Sequence, residues 1–344
     1  MRKLKTIVLV FFVLFSLVSV GYSACEGDLN CDGDTDGADL ALLAADFGTI
    51  GCGNCDDVMA LIWQLSNEIS LLQRDITNLE SLLQHFRQDG NDIYIEGANL
   101  HILDGSYNTE GTVKGLGNLI VGYNESRVPD GGTDIRIGSH NIVVGMRLNY
   151  ASYGGLVVGY DNTISAAWAS VSGGVHNKAS DYAACVSGGS NNTASGDYSS
   201  VNGGQNNTAS TNYTSVSGGR NNSASGPWAS VSGGGGPLES DGNIAFGHYS
   251  SILGGWRNIA GDPTLLSTYV GEQSVVSAGS SNVASGDRSA VSGGYDNIAD
   301  EAAASVSGGR DNNASAVGAS VSGGDATSVT NNFDWAAGDL YEAD

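Results

Sequence analysis

The sequence predicts an all-β parallel solenoid, or β-roll, that forms a head behind a parallel coiled-coil helix and a small module made of a calcium loop and a helix. Three observations predict this order: a 15-residue repeat, a heptad of apolar residues and one loop of calcium-binding spacing. The 344 residues include 51 glycines and only 4 prolines. This composition is typical of neither collagen nor a proline-rich disordered chain, so the glycines serve an ordered repeat.

The amino terminus predicts export. Arg2, Lys3 and Lys5 precede an apolar run over residues 7–20, and Gly21 and Ser23 suit cleavage after residue 23. Residues 1–23 are therefore predicted to be a signal peptide, and the protein is expected to be extracellular or on the cell surface. The alternative is cleavage before Cys25 to give a lipoprotein, which the bulky Tyr22 disfavours. No later apolar stretch reaches the ~20 residues of a membrane span.

Charge narrows the range of partners. Acidic residues outnumber Lys and Arg by 37 to 14, and the formal net charge is −23. A chain this acidic repels nucleic acid and anionic membranes, whereas it suits divalent cations. We therefore expect no nucleic-acid partner and no membrane span.

Residues 24–56 predict a disulfide-pinned calcium module. Oxygen-bearing side chains stand at positions 1, 3, 5, 7, 9 and 12 of one loop, and Gly33 occupies position 6, where calcium loops need a sharp turn. The expected Ca²⁺ ligands are Asp28, Asn30, Asp32, Asp34, Asp36 and Asp39. Four clustered cysteines, Cys25, Cys31, Cys52 and Cys55, predict two disulfides of undetermined pairing, with a zinc site as the weaker alternative.

This loop resembles one half of a dockerin, a family whose loops often end in Asp as this one does at Asp39. The resemblance implies calcium binding and an assembly role with a partner module. Dockerins carry two such loops and this chain has one. A single calcium site that orders a small amino-terminal module is therefore the preferred interpretation.

Residues 57–89 predict a coiled-coil stalk. Apolar residues alternate in steps of three and four at Ile62, Leu65, Ile69, Leu72, Ile76, Leu79, Leu83 and Phe86. A helix with this seam requires self-association, and we expect a homo-oligomer. Ile and Leu along the seam fit a dimer, but Leu61 and Leu82 widen the apolar face and Asp75 would meet Glu80, so a trimer is favoured. The alternative is a helix packed into its own chain's core.

Residues 90–115 predict a β connector, residues 116–335 the solenoid, and residues 336–344 a tail. The motif Val-Ser-Gly-Gly, or a variant, begins at Val171, Val186, Val201, Val216, Val231, Ile252, Val276, Val291, Val306 and Val321. An asparagine precedes most of these by nine residues, at Asn162, Asn177, Asn192, Asn207, Asn222, Asn243, Asn282, Asn297 and Asn312, with Asn258 displaced by an insertion. A short period held over so many units indicates a solenoid.

Each unit predicts two short strands. Because side chains alternate along a strand, the Asn and Ala of Asn-x-Ala are expected to point inward. The Val of Val-Ser is expected to point inward and its Ser outward. The glycines supply left-handed turns. Identical residues would then stack about 4.8 Å apart, forming an asparagine ladder in a rod roughly 60 Å long.

Three further features of the repeat carry expectations. Insertions after Val231 and after Asn258 enlarge turns and predict recognition loops. Ile120, Val143 and Val157 stand where later units have the outward Ser, so they are expected to be buried against partner subunits. The segment 333–335, Phe-Asp-Trp, is expected to cap the last coil.

Units such as residues 222–234, Asn-Ser-Ala-Ser-Gly-Pro-Trp-Ala-Ser-Val-Ser-Gly-Gly, resemble the head repeats of trimeric autotransporter adhesins over about residues 115–330. The resemblance implies a trimeric β-roll with an adhesive role. The asparagine-rich repeat is also similar to that of plant ice-binding proteins, which would imply a flat face that matches ice.

The chemistry of an enzyme is not apparent. The five histidines show no metal or nucleophile spacing, and no phosphate loop or nucleophile elbow is present. Polysaccharide cleavage would need carboxylates on successive coils, where the repeat has Ser and Asn. The sequence therefore predicts a non-enzymatic, adhesin-like fibrous protein with a glycan, cell-surface or matrix ligand. Its alternatives are a dockerin-type assembly role and ice binding.

Overall fold

The computed structural model describes residues 55–265 and 267–338. The predicted signal peptide and all six calcium-loop residues lie outside these ranges, as do Cys25, Cys31 and Cys52. Two compact units divide at residue 100, and the second holds the solenoid.

The first unit contains the predicted helix and a hairpin. Helix α1 spans Cys55–Leu82, and an antiparallel pair follows, formed by β1 (Phe86–Asp89) and β2 (Asp92–Ile95). The sequence carries the apolar seam as far as Phe86. In the structure the helix ends four residues earlier, and Phe86 opens the hairpin opposite Ile95. The helical part of the seam therefore runs from Ile62 to Leu79.

The second unit is a parallel β-solenoid, as predicted. Each regular coil contributes one strand to each of two sheets, which we name the valine sheet (14 strands) and the alanine sheet (12 strands) after their inward residues. Two 3₁₀ turns, Val128–Asp130 and Glu239–Asp241, lie between strands. None of the helices within the described residues combines the length and apolar character needed to cross a bilayer.

The strands are short and stack in register. The valine sheet contains Leu119–Val121, Ile142–Met146, Leu156–Tyr160, Ser170–Val171, Cys185–Val186, Ser200–Val201, Ser215–Val216, Ser230–Val231, Ser251–Ile252, Val275–Val276, Ala290–Val291, Ser305–Val306, Ser320–Val321 and Trp335–Ala336. The alanine sheet contains Asn149–Tyr150, Thr163–Ile164, Lys178–Ala179, Thr193–Ala194, Thr208–Ala209, Ser223–Ala224, Ile244–Ala245, Ile259–Ala260, Val283–Ala284, Ile298–Ala299, Asn313–Ala314 and Ser328–Val329.

Two side-chain rows fill the narrow core. The inward Val or Ile of one sheet, such as Val201, faces the inward Ala of the other, such as Ala209, and both are buried. Each residue pairs with its equivalent on the next coil, as Val201 does with Val216. In most coils a small Ala stands opposite the Val or Ile, which keeps the coil thin, whereas Ile164 and Val329 take the Ala position near the two ends of the sheet.

The predicted asparagine ladder is confirmed, and Asn207 shows its geometry. Its buried side chain donates to the Gly203 and Gly219 carbonyls at 2.9 and 3.0 Å, and its Oδ1 accepts the Asn222 N–H at 3.0 Å. One asparagine therefore closes its own turn and bonds the next coil. The amide thereby gives the Gly203 carbonyl a partner and adds a second donor to the Gly219 carbonyl, which also accepts the Gln205 N–H.

The coils turn at two corners. The glycine corner follows the valine-sheet strand (residues 202–206 in one coil), and the aromatic corner follows the alanine-sheet strand (residues 195–199). At the glycine corner the second glycine of each pair is left-handed, as at Gly204 with φ +84°. The first glycine, Gly203, has a negative φ and no atom near its missing Cβ. In this coil only the second glycine is sterically required.

The expectation for Val143 and Val157 was wrong. Both are 0% exposed and pair in register with the inward Val171. The coils from Val143 to Val157 and from Val157 to Val171 are 14 residues long and use one glycine at the turn, so aligning Ile-Val-Val-Gly with Val-Ser-Gly-Gly shifts the register by one residue. Ile120 pairs with Val143 and also follows the inward register, although it is exposed in the first coil.

The outer face of these coils is nevertheless apolar. Leu119, Val121 and Ile142 are exposed, and Val144 and Val158 are half-buried in the positions that Ser takes later. The apolar outer face is therefore real, but other residues form it.

The expected cap was also wrong. Trp335 lies in the last valine-sheet strand, where alternation turns Ala336 inward and leaves Trp335 outside, 65% exposed, with its indole N–H donating to Ser322 Oγ. Phe333 occupies the aromatic corner and is also exposed. Neither ring covers the core of the last coil.

Candidate functional site

The aromatic corner carries the most distinctive surface of the solenoid. The residue three positions before the inward Val or Ile is left-handed in every regular coil, and on four consecutive coils it is aromatic: Tyr198, Tyr213, Trp228 and Tyr249, with φ between 55 and 61°. We name these four residues the aromatic ladder. A left-handed conformation is unfavourable for bulky residues, so the coil geometry imposes it and directs the rings outward.

The rings of the ladder stack along the rod. Adjacent centroids are 5.2, 5.3 and 5.1 Å apart, and adjacent planes are within 15° of parallel. Each ring remains 45 to 50% exposed. Tyr182, one coil earlier, meets the first ring edge-on at 5.4 Å. The corner thus presents a straight strip of aromatic rings to solvent.

Two carboxylates stand beside the first rings. Asp181 precedes Tyr182 and Asp197 precedes Tyr198, on neighbouring coils. A hydrogen bond with the Asp181 carboxyl raises the pKa of Asp197, and burial and the charge of Asp181 act in the same direction. Carboxylates on successive coils are not expected from the repeat, and this pair is an exception to the Ser and Asn pattern.

The described part of the second insertion, residues 261–265 and 267–272, lies beside the other end of the ladder. The His248 N–H donates to the Thr268 carbonyl, and the Gly271 N–H donates to the Asp287 carboxylate, so the loop is tied to coils on both sides. Its Tyr269 is exposed, and the centroid of its ring lies 4.8 Å from that of His248. The His248 ring in turn packs on Trp228. This predicted recognition loop therefore extends the aromatic strip.

The first insertion lies at the glycine corner and is held by an ion pair between a buried carboxylate, Asp241, and the exposed Arg257. Asp241 is almost fully buried, accepts the Leu238 N–H and pairs with Arg257 at 2.7 Å. The Leu238 N–H holds the pKa of Asp241 below its usual value, and Arg257 lowers it further. Leu238 itself is exposed at the tip. The two predicted loops thus lie at opposite corners of the coil.

The outward rows of the sheets differ along the rod. Serines of the valine sheet bond across coils, as Ser200 does with Ser215 at 3.2 Å. Cys185 takes the place of one serine and forms no disulfide with any cysteine among the described residues. The outward row of the alanine sheet runs Thr163, Lys178, Thr193, Thr208, Ser223, Ile244, Ile259, Val283 and Ile298. This row is not the continuous threonine array expected of an ice-binding face.

The predicted metal ligands lie outside the described residues. Within residues 55–265 and 267–338, no three His, Cys, Asp or Glu side chains come together as a metal site. The candidate functional site of the described chain is the aromatic strip, formed by Tyr182, the aromatic ladder and Tyr269. The sequence prediction does not include it. Its signal is present in the repeat: an aromatic residue stands three positions before Val171, Val201, Val216, Val231 and Ile252.

Comparison with known proteins does not assign the chain to a family. No protein-family model matches it, and no curated protein sequence matches it.

Proposed function

We propose that the protein is an exported, non-enzymatic, adhesin-like fibre: a homotrimer joined through helix α1, whose solenoid heads bind a glycan, cell-surface or matrix partner. Three heads on one stalk would act together, so that weak contacts at each head add to strong attachment.

The apolar seam of helix α1 supports the oligomer. Ile62, Leu65, Ile69, Leu72, Ile76 and Leu79 are between 42 and 61% exposed in the single chain. Apolar area of this extent on one stripe of a helix is unfavourable in water and is relieved when stripes pack together. The chain supplies the same stripe on every copy, so the fitting partner is another copy of itself.

The solenoid supports a binding role over a catalytic one. Its interior is filled by Val, Ala and Asn rows that serve packing and backbone hydrogen bonds. Ligand contacts must therefore be made on the outside, where the insertions and the aromatic strip are placed. A long, regular and rigid rod suits presentation of such a surface away from its point of attachment.

The trimer is tested by placing one charge in the seam. Ile69→Asp in the mature chain (residues 24–344) is expected to convert a trimer to monomers at micromolar concentration, because three carboxylates would meet in an apolar layer. Ser70→Asp, at the adjacent exposed position, should remain trimeric. Light scattering coupled to size-exclusion chromatography measures both. A wild-type monomer at the same concentration would contradict the proposal.

We also propose that Asp28, Asn30, Asp32, Asp34, Asp36 and Asp39 bind one Ca²⁺, on the strength of their spacing. Titration calorimetry of the mature chain with CaCl₂ should show a single site, because the loop supplies one set of hard oxygen ligands. Asp32→Ala should weaken binding at least about tenfold, whereas Glu26→Gln, just outside the loop, should not change it. Equal binding by both variants would locate the ion elsewhere.

A further inference from the structure

We infer that the aromatic strip, formed by Tyr182, the aromatic ladder and Tyr269, is a binding site for a neutral, extended polysaccharide chain that lies along the rod. The inference rests on the proposed adhesive function and names the ligand class of its head.

The fold does not require the rings. Ala183 and Ala303 occupy the same left-handed corner position on other coils, with φ of 51 and 56°, and those coils keep the same strands. A residue with a small side chain therefore satisfies the corner. Four consecutive rings at half exposure instead keep a large apolar surface in water, which is typical of a recognition surface.

The spacing suits a linear sugar polymer. The near-parallel rings lie 5.1 to 5.3 Å apart from centroid to centroid, and each keeps about half of its surface in solvent. The step from ring to ring is comparable with the advance of one sugar ring along an extended β-linked chain. The C–H groups of successive pyranose rings can then contact successive aromatic rings.

The polar groups beside the strip favour a neutral ligand. Tyrosine hydroxyls along the strip donate and accept hydrogen bonds, and the carboxylates of Asp181 and Asp197 accept them from sugar hydroxyls. The same carboxylates, in a chain with a net charge of −23, repel a polyanion. Arg288 occupies the corner two coils beyond Tyr249, outside the stacked rings.

The shape of the strip favours a polymer over a small molecule. It runs straight over five coils from Tyr182 to Tyr249, is not enclosed as a pocket, and is extended by the loop that carries Tyr269. Each ring offers a modest contact, and only a ligand that spans several coils collects enough of them for useful affinity.

Binding is measured by depletion of the mature trimer from solution by insoluble cellulose, chitin and xylan, and by quenching of tryptophan fluorescence with their oligosaccharides. The wild type should bind at least one of these. Tyr213→Ala and Trp228→Ala together should weaken that binding at least about tenfold, because two stacking contacts are lost. Tyr295→Ala, an equally exposed aromatic residue at the glycine corner, should bind like the wild type.

Circular dichroism and light scattering on the same samples separate the possible failures. A trimeric wild type that binds none of the neutral polysaccharides overturns this inference and leaves the trimer intact. Equal loss in the Tyr295→Ala control, or binding to alginate alone among the polysaccharides, also overturns it. Capture of an unglycosylated matrix protein by the ladder, abolished by the same double variant, would show a protein ligand and overturn the sugar assignment.

Discussion

Replacement of Gly204 by alanine is expected to lower the free energy of unfolding of the head by about 2–5 kcal/mol. Alanine at φ +84° costs about 1–2 kcal/mol. In addition, its Cβ would overlap the Gly219 carbonyl oxygen of the next coil and crowd the Asn207 amide. Relief of such overpacking typically costs a further ~1–3 kcal/mol. The coils would have to separate locally, which breaks their shared hydrogen bonds.

The neighbouring glycine provides the control. No atom lies within 4 Å of the position that a Cβ would take at Gly203, and this residue does not have a positive φ. Gly203→Ala should therefore change stability by less than about 1 kcal/mol, and reduced freedom of the unfolded chain favours the variant slightly. Urea unfolding followed by circular dichroism compares the two. Similar destabilisation by both substitutions would show that the left-handed conformation is not the reason why this corner requires glycine.

Replacement of Asn207 by alanine is expected to destabilise the head by about 3 kcal/mol or more. The substitution removes the donors to the Gly203 and Gly219 carbonyls and the acceptor of the Asn222 N–H. The Gly219 carbonyl keeps the Gln205 N–H, but the Gly203 carbonyl and the Asn222 N–H lose their partner, at a cost of about 1–3 kcal/mol each. The cavity left beside the Val and Ala rows adds to this loss. Thermal unfolding of the mature protein measures the effect as a lower midpoint.

Asn206 is the matched position for this test. It precedes Asn207, is exposed, and makes one side-chain hydrogen bond, to Asn221 at 3.0 Å. Asn206→Ser should cost less than about 1 kcal/mol, since Ser281 already adopts the same left-handed corner position on another coil. If the two asparagine variants unfold at the same temperature, the asparagine ladder does not stabilise the head as its hydrogen bonds imply.

The coil could be predicted from sequence because its chemistry is local and repeated. Asn207, Ala209 and Val216 recur at fixed separations, and alternation along a strand then decides which of them face inward. The same glycine pair marks most of the later turns. Periodicity of this kind fixes strand, register and ladder together, without knowledge of distant contacts.

The first coils show where periodicity fails. Ile142, Val143 and Val144 are all apolar, so sequence does not reveal which of the three is the inward residue. In the structure the inward residue is Val143. It is buried and pairs with Val157, which pairs in turn with the inward Val171. A change from two glycines to one at the turn also shortens these coils by a residue, and this change moves the apparent register. The register is determined by the pairing of residues between coils, which the sequence does not show.

The aromatic residues of the ladder are visible in the repeat, but their left-handed backbone is not. Left-handed turns are expected at glycine, whereas the aromatic corner places Tyr198 or Trp228 in that conformation. The corner tolerates bulky residues because their backbone N–H groups bond to the preceding coil, as Tyr198 does to Tyr182 at 2.8 Å. Rings that lie 15 or 21 residues apart in sequence become neighbours only when the coils are stacked.

Stacking in register also has a consequence for how the head can change over generations. Each coil contacts the coils directly before and after it, and the units from Val171 to Val231 follow one another at the same interval. Duplication or loss of one 15-residue unit would lengthen or shorten the rod by a single step of about 4.8 Å and recreate the same junctions. DNA recombination between near-identical units can therefore change the length of the head without a new fold.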